Sequence, residues 1–128
     1  MNRLETVKTY FKKSKNVAII SHKDPDGDAL CSAFALKKYL DTYYKRKKVS
    51  VFADGNIDEK YNPIINEEIN KNPRRFFDLV IIIDCPNIER TGQYKKIAKW
   101  HRKIINIDHH LIPITRYVIV NHLALIFA

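Results

Sequence analysis

Apolar blocks of strand length alternate with helix-patterned segments along this chain, and that alternation restricts it to an α/β architecture. The blocks are Val17-Ala18-Ile19-Ile20, Val49-Ser50-Val51-Phe52, Leu79-Val80-Ile81-Ile82-Ile83 and Lys103 to Ile107. The third, predicted as a strand from Asp78 to Asp84, is apolar at every position between them, as in a strand covered on both faces. Before the first block, Leu4, Val7 and Phe11 stand at helical spacing, and after it a second helix is predicted from Asp28 to about Tyr44. Pro25 and Gly27 break regular structure just before it, and Asp28 suits its N-cap or first turn. A third helix is predicted from Gly92 to His101, and Val118 to Val120 form a final edge strand. Residues 54–75, rich in Asn, Gly, Pro and Glu, read as loop with a short helix near Asn66–Lys71. The whole predicts a parallel sheet with helices on both faces.

A chain of 128 residues has room for one core, so residues 1–128 are read as one domain. No apolar run approaches the roughly 20 residues of a membrane span. The first residues lack the basic-then-apolar pattern of a signal peptide, and Cys31 and Cys85 make no disulfide framework, so the expected location is a reducing cytoplasm. Cys31 is expected to be a buried small residue rather than a reactive thiol. The net charge of +9 would suit a phosphate-rich partner, but abundant Lys, Ile and Asn are also the ordinary bias of an AT-rich genome. Three basic clusters, Lys12–Lys15, Lys45–Lys48 and Lys95–Lys103, are therefore read by default as solvated faces.

The chemistry-bearing residues come in three instalments. His22-Lys23-Asp24-Pro25-Asp26-Gly27-Asp28 places an imidazole and three carboxylates at alternate positions, Asp84 ends the apolar pentad, and Asp108-His109-His110 follows the fourth block. Each lies at the carboxyl end of a predicted strand, where open α/β sheets bind ligands. Singly these are a turn, a helix cap and a surface loop; jointly they read as a metal site. A calcium loop is excluded, because aligning Gly27 with that loop's glycine puts His22 and Ala33 where acidic ligands are required. Structural zinc is excluded by the lack of paired Cys spacing. A mixed Asp and His set suits Mn²⁺ or Mg²⁺, with Fe²⁺ or Co²⁺ as further candidates.

These motifs, with Arg90 and Gly92 after Asp84, resemble motifs I to III of the DHH phosphoesterases in order and spacing over about residues 16–112. Within that group the chain is most similar to oligoribonucleases (nanoRNases) that also dephosphorylate 3′-phosphoadenosine 5′-phosphate; RecJ-type exonucleases are more distant. The resemblance implies a Rossmann-like parallel sheet and two Mn²⁺ ions. His22, Asp26 and Asp84 would hold the first, and Asp28, Asp84 and His109 the second, with Asp84 bridging. Asp24 would support the site from behind the ligands, and Arg90 would meet the substrate. Asp108 and His110 would serve catalysis, Asp108 by fixing geometry and His110 by facing the phosphate; His110 orienting His109 is an equal alternative. A cation pair of this kind activates water for in-line displacement at phosphorus.

The departures from the family pattern are also informative. Cys31-Ser32 stands where relatives carry Gly-Ser, which would tighten the packing of the following helix on the sheet. No Asp or Glu follows Asp108, and the three glycines are Gly27, Gly55 and Gly92. The family's fourth-motif aspartate and its C-terminal substrate-binding domain, with a Gly-rich loop, are thus expected to be absent. His122 in an apolar segment is read as structural rather than as a replacement ligand. The expectation is an N-terminal DHH-type portion, incomplete at its C-terminus, acting weakly on short RNA or DNA or on a nucleotide phosphoester. It has no membrane partner and self-associates through its C-terminal edge. The rival reading is a non-catalytic metal- or nucleotide-binding module from a truncated or split paralogue.

Overall fold

Five parallel strands, each entered from the same edge, form one sheet in the order β2-β1-β3-β4-β5. They are β1 (Asn16–Ile20), β2 (Lys48–Phe52), β3 (Leu79–Ile83), β4 (Ile104–Asp108) and β5 (Val118–Asn121). The helices are α1 (Arg3–Lys13), α2 (Gly27–Tyr43) and α3 (Lys95–Trp100). A computed structural model provides these coordinates and describes residues 3–63, 65, 69–70, 76–100, 103–108 and 118–121.

Strand side chains alternate between two cores, because successive residues of a strand point to opposite faces. Val17, Ile19, Val51, Ile81 and Ile105 face one core, closed by Val7 and Phe11 of α1 and by Ala33, Leu36 and Leu40 of α2. Ala18, Ile20, Phe52, Val80, Ile82 and Ile104 face the other, with Ile97 and Ala98 of α3 and Tyr94 just before it. β3, central in the sheet, is buried at all five positions, which accounts for its unbroken apolar sequence. The predicted α/β class, with a parallel sheet and helices on both faces, is the observed one. Among the described residues no helix is long and apolar enough to cross a membrane.

Several local expectations are corrected. α2 starts at Gly27, and its N-cap is Asp26, whose Oδ1 accepts from the Ala29 N–H at 2.9 Å; Asp28 takes the first-turn position. Cys31 is exposed. It lies two residues beyond Ala29 and so is turned about 200° from the buried stripe; it therefore does not tighten the helix against the sheet. Cys85 is the buried thiol, and burial pushes it up to about 11. The predicted third helix is two pieces, a 3₁₀ segment over Ile88–Tyr94 and then α3. Gly92, at φ 67°, kinks the chain within the 3₁₀ segment, and a Cβ there would come within 2.1 Å of the Asp54 carboxylate. The short helix expected near residues 66–71 falls mostly outside the described residues; Ile69 and Asn70 are not helical, and the Asn70 N–H donates to the Val51 carbonyl at 2.8 Å. A 3₁₀ turn at Glu59–Tyr61 was not anticipated.

Candidate metal centre

The order of strands decides where a ligand can sit. The chain passes from β1 outward to β2 and then crosses back to β3 on the other side, so the switch point lies between β1 and β3. His22 follows β1 and Asp84 follows β3, one on each side of that crevice. The register sharpens this, because Phe52, Ile20, Ile82 and Asn106 lie abreast on four neighbouring strands. The next-but-one residues are Asp54, His22, Asp84 and Asp108. A parallel register thus carries three carboxylates and an imidazole to one level at the carboxyl edge.

Of these, His22 and Asp84 meet Asp26 in a cluster. One ligand atom from each of His22, Asp26 and Asp84 lies within 4.8 Å of the other two. His22 Nε2 stands 3.8 Å from Asp26 Oδ1 and 3.8 Å from Asp84 Oδ2, too far for a hydrogen bond to either. Two atoms bound to one small cation at about 2.1 Å are at most about 4.2 Å apart, so both spacings fit a shared ion. The His22 Nδ1 is 2.8 Å from the Lys23 carbonyl oxygen. A carbonyl can only accept, so Nδ1 carries the proton and, in the neutral ring, Nε2 turns its lone pair toward the carboxylates. Asp26 is oriented by its cap to Ala29. Asp84 is buried and holds a left-handed backbone at φ 51°, its N–H donating to the Ile107 carbonyl at 2.9 Å. Asp is among the few residue types that adopt this region readily. Two carboxylates converging on one imidazole nitrogen repel in the absence of a cation, and the donor set is that of a divalent metal.

The other expected site residues are distributed around this cluster. Asp28 is exposed in the first turn of α2, and Asp108 is buried at the end of β4; neither belongs to the three-residue cluster. His109 and His110 lie outside the described residues, as does His122. Arg90 is exposed, and its carbonyl accepts from the Lys23 N–H at 2.7 Å. Asp24, at φ 52°, turns away from the cluster toward the loop after β2. Its N–H donates to the Asp54 carbonyl at 2.8 Å, and its Oδ1 accepts from Asn56 N–H at 2.7 Å.

Asp54 and Asn106 were missed by the sequence reading. Asp54 accepts from its neighbour Gly55 N–H at 2.8 Å, from Gln93 N–H at 3.0 Å and from Gln93 Nε2 at 2.8 Å. It therefore joins the loops after β2 and β3, while Asp24 and Lys23 tie the loop after β1 to both. Asn106 Nδ2 donates to the Cys85 carbonyl at 3.2 Å and pins the turn just past Asp84. The available signal for Asp54 was its place after the second apolar block, the same strand-end position that singled out the other three.

The Gln93 backbone N–H is the largest influence and holds the Asp54 carboxyl below its ordinary value; desolvation, the next largest, opposes it, and the Gln93 side chain, the Gly55 N–H and Lys23 add to the lowering. A depressed folded-state pKa stabilises the fold above the ordinary carboxylate range, and that contribution is lost as pH falls through the lowered value. Asp54→Ala is expected to cost about 1 kcal/mol near neutrality, since the site is partly solvated. Thermal melts of both proteins should differ by a few degrees at neutral pH and converge at acid pH; a difference that persists under acid would contradict this role.

Known proteins share this chain's sequence and fold. Residues 16–124 match the model of the DHH family, N-terminal domain. The chain belongs to the DHH family. An uncharacterised protein of Mycoplasma genitalium is 35% identical over 111 residues, covering 81% of this chain and 33% of that protein. Its homologue in Mycoplasma pneumoniae is 34% identical over 103 residues, covering 78% of this chain and 31% of its own length. The chain thus spans about a third of the length of these curated relatives. The crystal structure of an exopolyphosphatase-related protein from Bacteroides fragilis superposes with a TM-score of 0.83 at 23% identity. That match covers 94% of this DHH chain and 38% of the other, and shows a shared fold.

Proposed function

We propose that this DHH-family chain carries the metal-binding part of a phosphoester hydrolase that acts on short oligonucleotides or nucleoside bisphosphates with Mn²⁺. The observation that carries the proposal is the convergence of His22, Asp26 and Asp84 on one point at the β1/β3 switch crevice. Those three residues would hold the first ion, and Asp28, Asp84 and His109 the second. A divalent cation bound there supplies Lewis acidity, lowering the pKa of water and offsetting charge on phosphoryl oxygens.

The chain's own residues do the remaining work. The Lys23 carbonyl keeps the His22 proton on Nδ1, so that Nε2 stays a donor of electrons rather than of a hydrogen bond. The α2 cap and the left-handed turn hold the two carboxylates at fixed angles before substrate arrives, so little reorganisation is needed. Arg90, exposed after β3, would meet substrate phosphate, and His110 would donate to the departing or equatorial oxygens. Asp108, buried at the end of β4, would fix the geometry of the site.

The test is hydrolysis of a diadenylate, 3′-phosphoadenosine 5′-phosphate and inorganic polyphosphate under excess Mn²⁺. Polyphosphate is included because the Bacteroides relative is described as exopolyphosphatase-related. Mn²⁺-dependent release from either nucleotide, lowered more than about 100-fold in His22→Ala, is the expected result. Preference for polyphosphate would move the substrate class, and turnover that survives chelator or His22→Ala would overturn the reading.

A further inference from the structure

The charge of this molecule is segregated along the strand direction. The carboxyl edge carries Asp24, Asp26, Asp28, Asp54, Asp84 and Asp108. The opposite edge, where the strands begin, is basic. Exposed Lys12 and Lys13 end α1, exposed Lys15 leads into β1, and exposed Lys45 and Arg46 follow α2. Exposed Lys48 begins β2, and exposed Lys103 immediately precedes β4. Hydrogen bonds draw these segments together. The Lys48 N–H donates to the Lys15 carbonyl at 2.7 Å, and half-buried Lys47 donates from Nζ to the Ser14 carbonyl. Lys13 and Lys103 line one small recess with Tyr10, Ser14, Asp78 and Leu79. The first two basic clusters and Lys103 of the third, distant in sequence, therefore meet at one edge.

Helix dipoles account for only part of it. Lysines in the last turn of α1 complement its negative end, but no helix end calls for Lys15, Lys48 or Lys103 at the strand starts. Local acids offset them only in part, for Asp78 shares that recess with Lys13 and Lys103 and attracts the Lys47 ammonium. The Asp78 carboxylate accepts from the backbone N–H groups of Lys15 at 2.8 Å and Asn16 at 2.9 Å. Asp41 is paired with Lys37 at 2.7 Å. The same edge also bears the two most exposed large apolar residues described, Tyr43 at the end of α2 (71%) and Phe76 just before β3 (78%). Leu4, the remaining exposed large apolar residue, starts α1 and so lies toward the opposite edge.

We propose that this amino-terminal sheet edge is a docking surface for single-stranded RNA, separate from the metal centre. Clustered cations with interleaved aromatic rings match the stacking-plus-charge chemistry of single-strand binders. An anionic membrane is the poorer fit, since membrane-surface helices present a broad aliphatic face and the exposed apolar groups described on this edge are aromatic rings, Tyr43 (packed on Tyr39) and Phe76. Five-residue strands separate the two edges by roughly 16 Å, so a substrate of one or two nucleotides in the crevice does not reach the basic edge. A longer strand gains attraction there that the acidic crevice cannot provide.

The probe is a fluorescent oligouridylate of about twenty nucleotides, read by anisotropy with excess EDTA so that the metal centre contributes nothing. The chain should bind it at low salt, and Lys15→Glu/Lys48→Glu/Lys103→Glu should weaken binding by more than about tenfold. Its salt dependence should fall by about 2 in log–log slope, near 0.7 for each phosphate no longer neutralised. Tyr43→Ala/Phe76→Ala should weaken binding about tenfold or more with the slope kept, because stacking releases no counterions. Lys12→Glu/Lys45→Glu, confined to exposed helix ends, provides a second charge test if the triple variant fails to fold. Unchanged affinity in folded charge variants would overturn the proposal. So would stronger binding to vesicles of equal parts phosphatidylserine and phosphatidylcholine than to the RNA. Because EDTA is present, either outcome is independent of whether the metal centre hydrolyses phosphoesters.

Discussion

Asp84→Asn is expected to abolish Mn²⁺ binding at the His22 cluster, weakening it by more than roughly 100-fold, since even residues behind metal ligands are worth 10- to 100-fold. Asparagine is the informative replacement. It keeps the side-chain shape and tolerates the left-handed backbone at φ 51°, where alanine would add strain of about 1 kcal/mol or more. The Asp84 N–H bond to the Ile107 carbonyl is a backbone bond and survives the change. Calorimetric titration with Mn²⁺ should show heat for the wild type and none for the variant. Melting adds a check of sign. A cation at 100 times its Kd stabilises the wild type by about 2.7 kcal/mol, an increment the variant should lack. Without metal the variant should be at least as stable as the wild type, because one of two facing carboxylates has lost its charge. A variant that still binds Mn²⁺ normally would show that Asp84 is not a ligand.

Ile81→Ala should lower stability by about 3–4 kcal/mol, as for large-to-small changes at fully buried sites. Ile81 is fully buried at the middle of the central strand, abreast of Ile19 on β1 and Ile105 on β4. Its side chain faces the core that α1 and α2 close, and three carbons would be lost where strands on both sides restrict collapse. Against the 5–15 kcal/mol that holds a typical domain, this is a large share, and the melting temperature should fall by roughly 10–20 °C. Chemical denaturation gives the free energy directly. A loss under about 1 kcal/mol would mean that this part of the sheet is loosely packed.

The local elements were legible in the sequence because they follow from periodicity and caps over a few residues. The four apolar blocks and the terminal Val118–Val120 run are strands within a residue or so, and the three amphipathic segments contain helices. The errors are errors of orientation. Cys31 belongs to a helix predicted to within a residue, yet whether it meets the sheet depends on which stripe of that helix packs inward. Asp28 suited either the cap or the first turn, and the extended backbone of Asp26 gave the cap to Asp26 and the first turn to Asp28. The Gly92 kink reflects a carboxylate reached from residue 54, across a separation that no local pattern covers.

The sequence by itself determined the residue types of the site and the fact that His22, Asp84 and Asp108 stand at the carboxyl ends of the first, third and fourth strands, because motif spacing and strand length are properties of neighbouring residues. Only the tertiary structure decided that β1 and β3 are adjacent, that their register aligns His22 with Asp84, and that Asp54 joins them at the same level. It likewise brought Lys15, Lys48 and Lys103 to one edge and left the carboxylates on the other. Strand order and register arise from burying two faces of one sheet at once, a condition on residues dozens of positions apart that no short window contains.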